Sequence, residues 1–337
     1  MDLFTIKDDF ERERDDMINK VTHPIHFQGN LQKKNYFEGW YYKQVSADER
    51  TVISFIPGIV LAEGDSHSFI QYTYVHIAAN GQKEMRTGYL RYAIEDFVCN
   101  SEPFLINIGD NIFSETLVSV HLEDGQFQVD GLLTLGPFQE IKRTVLMPSI
   151  MGFFAYIPKM ECYHGVISMS HAVKGKLAIG SKSIDFGGGK GYLEKDWGTS
   201  FPERYVWIQS NHFSDESTSL VFSLADIPFN GFSFEGFLCN LTIGGEEHRF
   251  ATYNRSKITV GLISEERVEV ALENRQAALT ISAEILQAGE LIAPTEAGMN
   301  KVIKEGLSGI VTIDFTDKKT GKEHHDIGQM AGIEIVR

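Results

Sequence analysis

Apolar and polar positions alternate with a period of two through most of the chain, the spacing of half-buried strands rather than of helices. From Gly39 onward the runs GWYYKQV, TVISFIPGIV, SFIQYTYVHIA, GQFQVDGLLTLG, YVWIQSNHF, TSLVFSLADI, RVEVALE, LTISAEIL and GIVTIDFTD follow one another. Between them, Ala79-Asn80-Gly81, Asp124-Gly125, Gly244-Gly245 and Thr320-Gly321 supply residues that tolerate positive φ, so these four sites read as hairpin turns. Short strands joined by local turns favour an antiparallel sandwich or an up-and-down barrel over a parallel sheet. One helical pattern stands apart: Phe10, Met17, Ile18 and Val21 share a face over residues 8–21, which predicts a short amphipathic N-terminal helix.

The strand pattern also echoes itself. Sliding the sequence by 167 residues places Trp40 on Trp207, Ile53 on Leu220 and Phe55 on Phe222, and a shift of 164 aligns Asn80-Gly81 with Gly244-Gly245. Two copies of one β unit are therefore expected, each opening with a Trp-bearing strand. Between them lies an apolar stretch, residues 147–165, in which Pro148 and Pro158 deny donors to a ladder. It places the expected division at 1–155 and 156–337, and it is suited to lining a cavity as well as linking.

Composition narrows the function. The 337 residues carry 31 Lys and Arg against 46 Asp and Glu, a net charge of -15 that opposes nucleic acid and anionic lipid head groups. A lipid ligand is therefore expected as single molecules taken inside the protein. Three scattered cysteines, Cys99, Cys162 and Cys239, make no disulfide framework and fit a reducing compartment. The charged N-terminus lacks the apolar core of a signal peptide, and no run approaches ~20 apolar residues, so a cytoplasmic location without an integral membrane segment is expected.

Three segments carry a family resemblance: YFEGWYYK at 36–43, MECYHG at 160–165 and GYLEKDWGTSFPERYVWIQSNHF at 191–213. Together, and in this order, they resemble the tocopherol cyclase-like family. The resemblance implies an all-β fold of two lipocalin-like antiparallel barrels. It also implies an activity, since the plant enzymes close a chromanol ring on a prenylated hydroquinone. More distantly, Tyr192-Leu193-Glu194-Lys195-Asp196-Trp197-Gly198 is similar to a Tyr-x-Asp-His-x-Trp-Gly stretch of carotenoid hydratases, with Glu194 and Lys195 in place of the Asp and His.

Either chemistry begins with protonation of an alkene carbon, which needs an acid still holding its proton near pH 7. A carboxyl group in an apolar pocket qualifies, because desolvation disfavours its anion. The tertiary cation that follows needs water excluded and electron-rich rings nearby. No metal or organic cofactor is called for. Glu194 is the expected acid and Glu38 the second choice; the bland readings are a salt bridge from Glu194 to Lys195 or Arg204, and backbone or indole hydrogen bonds to Glu38. On an extended strand Tyr192, Glu194 and Asp196 share one face. These three form the expected catalytic group with His164, which is able to orient the acid or accept a phenolic proton. Trp40, Tyr42, Trp207 and Gln209 are expected ligand contacts on the inward faces of the two Trp strands, against the alternative of core packing; Glu38 and Trp197 are expected contacts too, and so is His212 at the end of the second strand, where turn capping is the alternative.

Other signals carry less. Gly187-Gly188-Gly189-Lys190-Gly191 lacks phosphate-loop spacing, His324-His325 has no companion ligands and reads as a loop, and no Gly-x-Ser-x-Gly elbow is present. Three functions stay open: a cofactor-independent cyclase acting on a prenylated quinol or related isoprenoid, a non-catalytic carrier of hydrophobic small molecules, and a scaffold with solid barrels.

Overall fold

A computed structural model describes residues 20–125, 127–229 and 232–337. Apart from residues 20–22, which are helical, the predicted N-terminal helix lies outside the described residues. Two antiparallel sheets account for most of the rest. The first holds β1 (Tyr36–Val45), β2 (Thr51–Leu61), β3 (His67–Ile77), β4 (Lys83–Tyr92), β5 (Phe97–Ser101), β6 (Phe104–Ile108), β7 (Asn111–Ser114), β8 (Leu117–Asp124), β9 (Phe127–Leu135), β10 (Cys162–Ile179), β11 (Lys182–Asp185) and β12 (Gly189–Gly198). Their order is β4-β3-β2-β1-β12-β10-β9-β8-β7-β6-β5, with β11 on β10. The second holds β13 (Tyr205–Ser210), β14 (Ser219–Phe229), β15 (Phe232–Ile243), β16 (Glu246–Ala251), β17 (Lys257–Ile263), β18 (Arg267–Glu273), β19 (Ala277–Glu284), β20 (Gly289–Thr295), β21 (Gly298–Asp317) and β22 (Glu323–Val336). Here the order is β16-β15-β14-β13-β22-β21-β19-β18-β17, with β20 on β21.

The four turns read from the sequence close the β3–β4, β8–β9, β15–β16 and β21–β22 hairpins. Gly244 and Gly245 sit at φ 60° and 77°, a conformation in which any Cβ would be strained. His324 and His325, read as a loop, instead begin β22. β10, β11 and β12 follow the expected division at 155/156 yet pair in the first sheet, because β12 bonds to both β1 and β10. The chain passes to the second sheet only between Gly198 and Tyr205.

Each sheet curls around a packed interior in a lipocalin-like barrel fold, with the edge strands β4 and β5, and β16 and β17, left unpaired to each other among the described residues. Trp40, Tyr42, Phe55, Tyr72 and Phe113 fill the first, and Phe222, Phe250, Ile281 and Ile313 the second, all essentially inaccessible. A third apolar cluster, with Tyr41, Tyr192, Trp207, Leu307 and Met330, lies between the barrels. Strand alternation explains how one chain serves all three. On β1, Trp40 and Tyr42 point into the first barrel while Tyr41 and Lys43 point toward the second. The echo by 167 holds for β2 and β14, where Phe55 and Phe222 are both interior. It slips on the Trp strands, since Trp40 faces its own barrel and Trp207 faces outward from its barrel.

Candidate active site

β12 divides its side chains strictly between two environments. Leu193, Lys195 and Trp197 turn toward the interior of the first barrel, and Tyr192, Glu194 and Asp196 turn toward the second. The antiparallel partner β10 sets His164 directly opposite Asp196 and Val166 opposite Glu194. Nδ1 of His164 lies 2.9 Å from Oδ1 of Asp196, and its Nε2 lies 3.5 Å from Oε2 of Glu194. From the same side Tyr192 donates its hydroxyl to Glu194 Oε2 at 2.5 Å, and from the second barrel Trp207 donates its indole N–H to that oxygen at 3.1 Å.

These groups edge a cavity of about 170 Å³ between the two barrels. Its walls are mainly apolar, with Phe37, Phe69, Phe154 and Phe201 among them, and its polar side holds Glu194, Asp196, His164 and Glu334. The stretch 147–165 contributes Met151, Phe154, Met160, Cys162 and His164. The rings of Tyr41 and Trp207 meet edge to face at 5.4 Å beside the acid.

Burial pushes the Glu194 carboxyl up to about 7; His164 opposes the rise, Asp196 adds to it, and the Tyr192 and Trp207 hydrogen bonds oppose it again. For His164, burial favours the neutral ring, but the Glu194 and Asp196 carboxylates outweigh that and lift the imidazole to about 9. Burial thus favours the protonated carboxyl of Glu194, while the two neighbouring acids favour the protonated ring of His164. Glu194, His164 and Asp196 are also the one group among the described residues whose donor atoms, all within 4.8 Å of one another, could share a metal ion. Their own hydrogen bonds already engage Glu194 Oε2 and His164 Nδ1.

The expected ligand contacts separate. Trp207 lines the cavity, whereas Trp40 and Tyr42 are locked into the solid interior of the first barrel. Trp197 is on the far face of β12, stacked on Tyr163 at 5.5 Å with the Lys195 ammonium 4.5 Å from its ring. Glu38 is sealed inside the first barrel, where Lys195 Nζ reaches it at 2.7 Å, the Tyr36 hydroxyl at 2.5 Å and the Gln28 and Gly29 amides at 2.9 and 3.1 Å. Lys195 therefore serves Glu38 and leaves Glu194 alone, while Arg204 pairs with Asp226. Gln209 accepts from the Lys43 ammonium at 2.8 Å, away from the cavity. His212 is buried where β13 ends, off the cavity, and burial holds it down at about 3.

Sequence reasoning missed a further acid on the polar side of the cavity. Glu334, on β22, accepts the Tyr205 hydroxyl at 2.6 Å, and burial keeps its carboxyl well above the ordinary range, with Glu305 adding to the rise. Its register partner Glu305 accepts the Tyr41 hydroxyl at 2.6 Å. In the sequence Glu334 is one polar position in the strand GIEIV, and only the β13–β22 pairing sets it beside Trp207.

The tocopherol cyclase-like family matches residues 126–335, which include β10, β12, β13 and all of β22 but Val336, and so every side chain of the acid cluster. The chain belongs to the tocopherol cyclase-like family. No curated protein matches it significantly. Among solved structures, this family member is similar in fold to CghA with Sch210972, at 9% identity and TM-score 0.56 over 89% of this chain and 88% of that one. It is also similar to kievitone hydratase from Nectria haematococca, at 9% identity and TM-score 0.51 over the same shares. A candidate AttH from Nitrosomonas europaea aligns at 13% identity and TM-score 0.52, over 89% of this chain and 93% of that chain. At such identities the likeness is one of fold, which the tocopherol cyclase-like chain shares across both barrels. No helix among its described residues is long and apolar enough to cross a membrane.

Proposed function

We propose that this protein is a cofactor-independent acid catalyst that protonates an alkene of a hydrophobic substrate, with Glu194 as the proton donor. The observation that carries the reading is a buried carboxyl held up at about 7 on the wall of an apolar cavity. The preferred reaction is ring closure on a prenylated quinol or related isoprenoid. Glu194 gives its proton to the less substituted alkene carbon, the tertiary cation forms beside the Trp207 and Tyr41 rings, and the phenolic oxygen attacks it. The phenolic proton returns to the Glu194 carboxylate, so the reaction is an isomerisation and consumes nothing. His164 and Asp196 position the acid, and Glu334 with Tyr205 offers hydrogen bonds to substrate oxygen.

A cavity of about 170 Å³ is smaller than the ~300 Å³ at which pockets for drug-sized ligands begin. The reacting end of the substrate fits inside and a longer tail leads outward. The test is Glu194→Gln, which keeps shape and polarity but has no proton to give. Turnover of a prenylated hydroquinone should fall at least about 100-fold, with uptake of the compound, followed by mass spectrometry of organic extracts, unchanged. Uptake without turnover in the unsubstituted protein would instead favour a carrier, the alternative that the largely apolar cavity lining also suits.

A further inference from the structure

Across residues 137–160 the only charged side chains are Glu140, Lys142, Arg143 and Lys159, a local positive excess in a chain of net charge -15. Within this segment Thr144 and Met147 exchange two backbone hydrogen bonds of 3.0 Å, closing a tight turn. The turn holds its two tip residues away from the protein. Val145 is 84% exposed and Leu146 78%, the two most exposed large hydrophobic side chains among the described residues. The Tyr156 hydroxyl donates to the Val145 carbonyl at 2.8 Å, which ties the tip to the short turn Gly152–Tyr156. That turn is a wall of the cavity: Phe154 lines it, and Phe153, 47% exposed, stacks on Phe154 at 4.6 Å. A convex apolar tip, an exposed ring and the cavity wall are thus one continuous piece.

We propose that the Val145-Leu146 turn is a membrane-docking tip that seats the cavity against a lipid bilayer surface. Isolated apolar residues on a surface need no explanation, but adjacent aliphatic side chains projecting from a rigid turn are suited to entering the head-group and acyl boundary. Three features select a bilayer over a protein partner. The tip is convex and narrow, offering no extended face. Beside the turn Arg143 pairs with Glu140 and Lys142 leaves a positive balance, so this segment escapes the repulsion that the acidic remainder would meet near phosphates. The adjoining cavity is apolar, and a molecule suited to it dissolves in bilayers rather than in water. The net charge of -15 also fixes the lipid, a zwitterionic rather than a strongly anionic surface. Docking goes beyond the proposed chemistry, because a carrier would load through the same route.

The test is flotation of the full chain with phosphatidylcholine vesicles. The unsubstituted protein should float, and a variant carrying both Val145→Ser and Leu146→Ser should lose partition about tenfold or more. Val302→Ser, at a site 61% exposed on β21, should float unchanged. As a second readout, a Val145→Trp variant should show a blue-shifted emission when vesicles are added. Failure of the unsubstituted protein to float, equal flotation of the double variant, or an unmoved Val145→Trp emission would overturn the proposal. So would a dimer that the two serines convert to monomer, which would make a second copy the occupant.

Discussion

Glu194 and His164 set each other's proton affinity, and the sign of that coupling is measurable. The proposed donor must be protonated, so the rate should hold below about pH 7 and fall as pH rises through the value to which burial lifts Glu194. The His164 cation works against that rise. Replacing it by His164→Gln removes the opposition, and the alkaline limb of the pH–rate profile should move to higher pH while the low-pH plateau survives in part. A limb that stays in place would mean that the imidazole does not act on the acid. Grouping Tyr192, Glu194 and Asp196 was possible from the sequence because side chains two apart on a strand must share a face. Adding Glu334 was not, because it lies 140 residues beyond Glu194, and local spacing carries no information about a partner on another strand.

At the scale of the element, β12 is a wall with different chemistry on its two sides. Toward the second barrel it presents the candidate acid; toward the first it presents Lys195, whose ammonium meets the Glu38 carboxylate with both side chains inaccessible. Burial pulls the Lys195 ammonium down, and Glu38 resists that. Lys195→Met leaves Glu38 buried without its counter-charge, and the expected loss is about 3–5 kcal/mol in chemical denaturation. Adding Glu38→Gln should recover much of it, since a neutral amide still accepts the Gln28 and Gly29 amides. A double variant no better than the single one would show that the pair is not coupled in this way. The adjacency of Glu194 and Lys195 invites a local salt bridge on paper, and alternation across the strand forbids it in space.

The whole molecule is held together through polar groups buried between its barrels. Lys43 on β1 crosses to the Gln209 side chain at 2.8 Å and the Met330 carbonyl at 2.6 Å, and Tyr41 crosses to Glu305 at 2.6 Å. Tyr41→Phe leaves a buried acceptor unpaired, so the unfolding free energy should fall by about 1–3 kcal/mol, read as a lower urea midpoint. Glu305→Gln, which still accepts, should cost less. The sequence by itself determined β1, β2, β3, β9, β13, β14, β18, β19 and the C-terminal half of β21, four of the turns, the chain-wide β class and the common face of Tyr192, Glu194 and Asp196, because period-two alternation and turn chemistry are local properties. Only the tertiary structure decided that the barrel interiors are solid and that the cavity lies between them. It also decided that Trp40 and Trp207 face different cores, and that Glu334 joins Glu194 on the polar side of the cavity. Alternation states which side chains point the same way but never which side is inside, and that choice is made by strands paired across more than a hundred residues.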